Sequence, residues 1–304
     1  LSMAVVSGNP AIAYYDETSG DLKYCRATTT NGSAWGTPVI PHVGGANLVG
    51  KYPSLAIVNG RPAIAYYDDT ADDLKYVRAN DATGVAWGAP VTVVSTDNVG
   101  NYAQLKVVNG RPGIAYYNAT IYSLAFVRAS NADGTAWGAP VTVEAGALTN
   151  IVGEYASMEI VGGNPAIAYR AGTSNVLRYV RASNADGSAW GAPVEVSDLS
   201  GAGEEVSLAV VSGRPAVAFV AQGTAIVFER AFDDLGTNWG NSSIVVGGTR
   251  DNVGQSGIAL REIGGRPRLV GLKELLEEFI AHRIDIVTRA TAFDLRKAEA
   301  RLHL

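Results

Sequence analysis

Short apolar runs rich in Val, Ile, Ala and Tyr, bounded by Gly, Asn, Asp or Pro, follow one another along residues 1–257. From Ser54 onward four of them fall at 55–58, 63–68, 74–79 and 90–93, and their composition and flanks predict strands. Asn59-Gly60 separates the first two and predicts a tight hairpin, because both residues accept positive φ. A Gly-containing loop ending in Trp87-Gly88 joins the third to the fourth. The unit returns at Pro10, Pro62, Pro112, Pro165 and Pro215, in steps of 52, 50, 53 and 50 residues. Five copies lie near residues 1–41, 52–93, 102–143, 155–196 and 205–246. Four short antiparallel strands in a period of about 50 residues are the signature of a propeller blade. A β-solenoid has shorter repeats, and a sandwich does not repeat its sequence. The predicted fold is all-β: a β-propeller of five four-stranded blades over residues 1–257, a partial sixth blade of two strands over 258–271, and a C-terminal α-helical tail over 272–304.

Positions shared by the copies read as architecture. Tyr14, Tyr66, Tyr116, Tyr169 and Phe219, on the second strand, are expected to fill the space between blades. A Leu-x-Tyr-x-Arg pattern on the third strand carries Arg26, Arg78, Arg128, Arg181 and Arg230, with alternation placing its marked residues on one face. Five equivalent arginines suit five equivalent blades, by stacking on a neighbouring ring or pairing with a turn carboxylate. Trp35, Trp87, Trp137, Trp190 and Trp239 each follow a Gly-containing turn.

In Ser130-Asn131-Ala132-Asp133-Gly134-Thr135-Ala136-Trp137 the Gly and Trp spacing resembles the Asp-box of sialidase-like propellers, Ser-x-Asp-x-Gly-x-x-Trp. The resemblance implies a structural turn away from any active site. The acid is displaced: Asp133 and Asp186 stand one residue closer to the Trp, and Asn31 occupies that place in the first copy. The whole unit, with its Tyr-Tyr-Asp and Leu-Lys-Tyr-Val-Arg-Ala motifs, resembles repeats of uncharacterised bacterial, often secreted, β-propeller proteins.

Function in a repeat protein is sought where the copies differ. After the second strand stand Tyr15-Asp16, Tyr67-Asp68 and Tyr117-Asn118, then Arg170-Ala171 and Val220-Ala221. Tyr15, Asp16, Tyr67, Asp68, Tyr117 and Asn118 are candidate ligand-binding residues, a polar aromatic rim suited to a glycan or peptide; alternatively the acids cap turns. Asp69, Asp72 and Asp73 read as a solvated turn. The net charge of −5 carries no basic face over residues 1–257, which argues against nucleic acid as a partner of the propeller. No apolar run reaches the roughly 20 residues of a membrane helix. Cys25 alone excludes an intramolecular disulfide and reads as a small buried hydrophobe. With three histidines and no acidic calcium loop, neither metal nor cofactor is expected. No phosphate loop, GxSxG elbow or Cys/His pair appears. The expected function is therefore a non-catalytic binding or scaffold module, with a sialidase-like hydrolase as the weaker alternative. The chain opens on Leu1 without a signal-peptide pattern, as a mature, processed or fragmentary protein would.

After Gly271 the pattern changes. Apolar residues at 272, 275, 276, 279, 280, 284, 287 and 295 follow helical spacing, with charges between them. Gly265-Arg266-Pro267, Leu272-Lys273-Glu274, His282-Arg283, Val287-Thr288-Arg289, Leu295-Arg296-Lys297-Ala298-Glu299 and Arg301 resemble the GyrA/ParC family, the DNA-cleaving chains of DNA gyrase and topoisomerase IV, at the start of the coiled-coil arm. Ala290 stands where that family has a second Arg, and its DNA-cleaving tyrosine region is not recognisable here. The spacing predicts a helix able to pack on the propeller or on a second copy, so an alternative function is an assembly protein that oligomerises through residues 272–304. The resemblance is compatible with a natural fusion, a chimera or an assembly artefact carrying an inactive segment of that family. It favours a cytoplasmic setting, whereas the propeller resemblance favours a secreted one.

Overall fold

The computed structural model describes residues 1–172, 176–197, 199, 201–221, 225–240, 242–247, 259–263 and 266–270. Five four-stranded antiparallel sheets follow one another in chain order, each a meander of consecutive strands. A two-stranded sheet, Ala259–Ile263 with Arg266–Val270, stands in the sixth place. The predicted propeller, with its partial sixth blade, is therefore the fold. The tail over 272–304 lies outside the described residues. Among those described, no helix is long and apolar enough to cross a membrane.

The second blade shows how the residues make the unit. Its strands are Val49–Val58, Arg61–Asp68, Asp73–Arg78 and Val91–Val94. Asn59 and Gly60 take φ of 44° and 74°, the left-handed pair that a two-residue hairpin demands. Ser7-Gly8, Asn109-Gly110, Gly162-Gly163 and Ser212-Gly213 do the same in the other blades. First strands lie innermost and each touches the next, so hairpins and Trp-bearing turns fall at one end of every blade. The starts of the inner strands fall at the other end.

The apolar cores lie between blades. Tyr66 packs with Leu22 and Tyr24 of the preceding blade, Tyr116 with Leu74 and Tyr76, Tyr169 with Leu124 and Phe126, and Phe219 with Leu177 and Tyr179. Each of these four second-strand aromatics is buried, as the sequence led one to expect; Tyr14 is half-buried. Hydroxyls stitch the inner strands together: the amides of Leu55, Leu105, Leu208 and Leu260 donate to Ser2, Ser54, Ser157 and Ser207 Oγ at 2.9–3.0 Å.

The repeated arginines clamp their own hairpins. Arg78 Nε and Nη2 donate to the Val58 and Asn59 carbonyls, and Arg26, Arg128 and Arg181 repeat the arrangement. Arg78 and Arg128 also reach the next blade, at 3.3 Å from Asp133 and Asp186. The carboxylate pairing foreseen from sequence is thus one half of a double role. Trp87, Trp137, Trp190 and Trp239 donate Nε1 to the glycine carbonyl of their turns. Their rings meet Tyr24, Tyr76, Phe126 and Tyr179 of the preceding blade edge-on at 5.1–5.4 Å. Trp35, in the first blade, is 36% exposed.

The turn shows what takes the place of the displaced Asp-box acid. The residue that binds its amides stands three before the glycine: Asp81, Asn131, Asn184 and Asp233. Asp133 and Asp186 face Asn59 and Asn109 of the preceding blade instead. At Asp81, burial raises the carboxyl pKa. Hydrogen bonds from Thr83, Ala86 and Val85 outweigh that and hold it well below the usual carboxylate range.

One blade boundary departs from the rest. Tyr24, Tyr76 and Tyr179 donate to the Thr83, Asp133 and Leu235 carbonyls at 2.9–3.1 Å, and Phe126 has no hydroxyl to do so. A cavity of about 250 Å³, lined by Phe126, Arg111 and Arg128, borders it. Phe126→Tyr should restore the bond and stabilise the protein by about 1 kcal/mol. A denaturant midpoint raised at unchanged slope is the expected result; an unmoved midpoint would show that the hydroxyl finds no partner.

Candidate functional site

The inner strands begin irregularly, and that irregularity builds the site. In the second blade the register slips between Val49 and Lys51 and again before Ser54, forming a bulge. Gly50 sits there at φ 108°, where an added Cβ would stand 2.7 Å from the Leu22 Cα of the preceding blade. Two residues on, Tyr52 is held at φ 49°. The same pairing recurs as Gly100 with Tyr102, Gly153 with Tyr155 and Gly203 with Glu205, and the three tyrosines and Glu205 share φ of 49–55°. A bulky residue in the left-handed region costs roughly 1–3 kcal/mol. Four such outliers in one ring of equivalent positions mark a place where side chains are re-aimed for a purpose.

Their side chains surround a cavity of about 520 Å³ at the axis, lined by Leu1, Tyr52, Tyr102, Gln104, Tyr155 and Glu205 with small apolar residues between. Ring centroids are 4.7 Å apart for Tyr52–Tyr102 and 4.8 Å for Tyr102–Tyr155, making an arc of three phenols. Tyr52 is 40% exposed. Burial raises the Tyr52 phenol pKa and carries Tyr102 well above the ordinary tyrosine value, so both stay neutral donors. Arg170 lies 5.4 Å from the Tyr155 ring centroid, 3.1 Å from Glu154 and 3.7 Å from Glu204. Lys51 pairs with Asp69 at 2.6 Å. Glu205 is half-buried; burial, then the charge of Glu204, raises its pKa, and the Leu1 amino group partly offsets them.

The six candidates from sequence occupy this same end, but mostly beneath its surface. Tyr67, Asp68, Tyr117 and Asn118 are buried. Tyr67 donates its hydroxyl to Asp72, and burial pushes the Tyr117 phenol up to about 12. Asp16, Asp68 and Asn118 accept from the amides of Thr18, Thr70 and Thr120, so all three cap turns. Tyr15 is half-buried, with Lys51 Nζ 5.9 Å from its ring centroid. Tyr67 and Tyr117 lie 6.4 Å below Tyr52 and Tyr102, as supports for the exposed arc. Arg170, where the polar run breaks off in sequence, stands at the register of Tyr67 and belongs to the site. In the Asp69, Asp72 and Asp73 cluster, Asp72 stands on an exposed turn as a solvated turn requires, Asp69 is half-buried and Asp73 is buried; each is also bonded, to Tyr67, to Lys51 and to Lys75 respectively. Cys25 is half-buried.

The signal missed in the sequence was Val-Gly-x-Tyr at 49–52, 99–102 and 152–155, with Ala-Gly-x-Glu at 202–205. It lies just before the strongest part of the repeat, and sequence gives no reason to place it on the axis. Among the described residues, no group of three or more His, Cys, Asp or Glu could hold a metal ion.

No family model matches the chain. A short stretch is similar to the GyrA chain of bacterial DNA gyrases. Identity is 51% over 47 residues with the Treponema pallidum protein and 55% over 42 with that of Fibrobacter succinogenes, covering 16% and 14% of this chain. The chain spans only 6% and 5% of the length of those relatives. Among solved structures, AofleA of Arthrobotrys oligospora, as a triple arginine-to-alanine mutant, aligns over 88% of this chain and 76% of its own, with TM-score 0.59 and 11% identity. The NanB sialidase of Streptococcus pneumoniae aligns over 86% and 63%, with TM-score 0.59 and 10% identity. At such identities the likeness is one of fold.

Proposed function

We propose that the protein is a non-catalytic carbohydrate-binding propeller whose ligand enters the axial cavity. The observation that carries this reading is the arc of Tyr52, Tyr102 and Tyr155, three rings on strained bulges around about 520 Å³ of open space. Pyranose rings present flat C–H faces that stack on phenols, while neutral hydroxyls and a side-chain amide, here Gln104, bond the sugar hydroxyls. A glycosidase needs two carboxyl groups roughly 5–10 Å apart at the scissile bond. Among the described residues lining the cavity Glu205 is the single carboxylate, and Glu154 and Glu204 are tied to Arg170. That distribution favours binding over hydrolysis.

The test is a glycan array probed with the wild-type protein and with Tyr102→Ala. Wild type should retain a defined set of oligosaccharides. Tyr102→Ala should lose them, with affinity down roughly tenfold to a hundredfold for a stacked ring removed. Thermal stability should barely change, because the side chain is half-exposed and leaves a strained backbone position. Retention of every bound glycan by the variant would reject the axial site.

A further inference from the structure

Glu205 breaks the chemical pattern of its ring. The three preceding bulges present phenols, and the fourth presents a carboxylate at the same backbone position, φ 50°. The charges around it balance unevenly. Lys51 is matched by Asp69, and Arg170 by both Glu154 and Glu204. Glu205 has no side-chain donor bonded to it among the described residues; the Leu1 amino group, on the same cavity wall, is the cation that acts on it, and burial lowers that amine's own pKa. With Lys51, Arg170 and the Leu1 amino group set against Asp69, Glu154, Glu204 and Glu205, carboxylates at this end outnumber cations by one, and Glu205 is half-removed from water. Phenol rings add the negative faces of their π-systems. Two cations at this end already combine a ring with a carboxylate: Arg170 with Tyr155 and Glu154, and Lys51 with Tyr15 and Asp69.

We infer that the axial cavity selects sugars bearing a free amine, the 2-amino-2-deoxyhexoses. The ammonium meets Glu205 and the apolar face of the sugar meets Tyr102 and Tyr155. An ammonium completes the charge balance and satisfies the carboxylate with charge-assisted hydrogen bonds. An acidic sugar meets Glu154, Glu204 and Glu205 with one guanidinium already committed, and is repelled. A neutral or N-acetylated sugar stacks equally well and leaves Glu205 desolvated without a partner, which costs affinity. The inference rests on the carbohydrate-binding reading and specifies the class of ligand.

Calorimetric titration of the full chain with glucosamine tetramer and with N-acetylglucosamine tetramer tests it, at a pH where the amine is protonated. The glucosamine tetramer should bind roughly tenfold tighter, the discrimination expected of a charge-assisted contact. That preference should shrink with added salt. Glu205→Gln should abolish the preference by weakening the glucosamine tetramer and tightening the acetylated one, which no longer leaves a carboxylate desolvated, with an unaltered thermal midpoint showing the fold intact. Equal binding of the two tetramers, or a preference that survives Glu205→Gln, overturns the amine selectivity and leaves the sugar site standing. Tetramethylammonium binding as tightly as the glucosamine tetramer overturns the sugar reading while keeping the cation site. If neither tetramer binds, the amine selectivity falls, and a glycan array empty for the wild-type protein would take the sugar reading with it.

Discussion

Gly134→Ala is expected to destabilise the protein by about 3 kcal/mol or more, although it adds one methyl group to a surface turn. Gly134 has φ 74°, and a Cβ there would stand 2.6 Å from Tyr76 Cε1 and 2.7 Å from Cζ, in the preceding blade. The backbone strain accounts for about 1 kcal/mol. The rest comes from the ring, which must move. Tyr76 is buried, donates to the Asp133 carbonyl and meets Trp137 edge-on at 5.3 Å, so no direction of movement is free. Overpacking of this kind costs roughly 1–3 kcal/mol. Chemical denaturation should show a lowered midpoint at unchanged slope. A double-mutant cycle with Tyr76→Ala separates the parts: with the ring gone, the alanine should cost only its backbone share. A loss well under 1 kcal/mol for the single variant would mean that the turn adjusts without engaging the neighbouring blade.

Arg128→Met should cost about 2–4 kcal/mol, and Arg128→Lys nearly as much. One guanidinium donates to the Val108 carbonyl at 2.9 Å and the Asn109 carbonyl at 2.7 Å, and lies 3.3 Å from Asp186 of the next blade. Three acceptors in fixed directions suit the planar fork of arginine; a lysine ammonium at the end of a flexible stem satisfies one or two. Methionine keeps the apolar stem and isolates the loss of the head group. Thermal unfolding of both variants, with Arg111→Met as an exposed control from the same blade, is the measurement. If lysine restores full stability, the clamp is a matter of charge alone.

These two sites show why the repeat was so legible in the sequence. Gly134, Tyr76 and Arg128 do the same job in blade after blade, so selection for one geometry leaves one spacing. The strand count, the hairpins, the inter-blade aromatics and the two-stranded sixth sheet all follow from local rules: positive φ at Asn-Gly pairs, alternation along strands, and a Trp after a glycine turn. The capping residue of that turn was not legible, because family spacing points between Asn131 and Asp133, and the loop geometry selects Asn131.

The site was legible only in part. Tyr67, Asp68, Tyr117 and Asn118 sit at the correct end of the blades, and period-2 alternation cannot tell a side chain that faces the axis from one covered by the next blade. Tyr52, Tyr102, Tyr155 and Glu205 are exposed to the cavity because a bulge breaks that alternation and turns each of them toward the axis. Chain-local chemistry therefore determined the blade, its turns and its number of copies. Which side chains share the central space, and which charge is left without a counterpart, was decided by the tertiary structure. Those relations join residues about 50 positions apart, through an arrangement of blades around an axis that no single repeat contains.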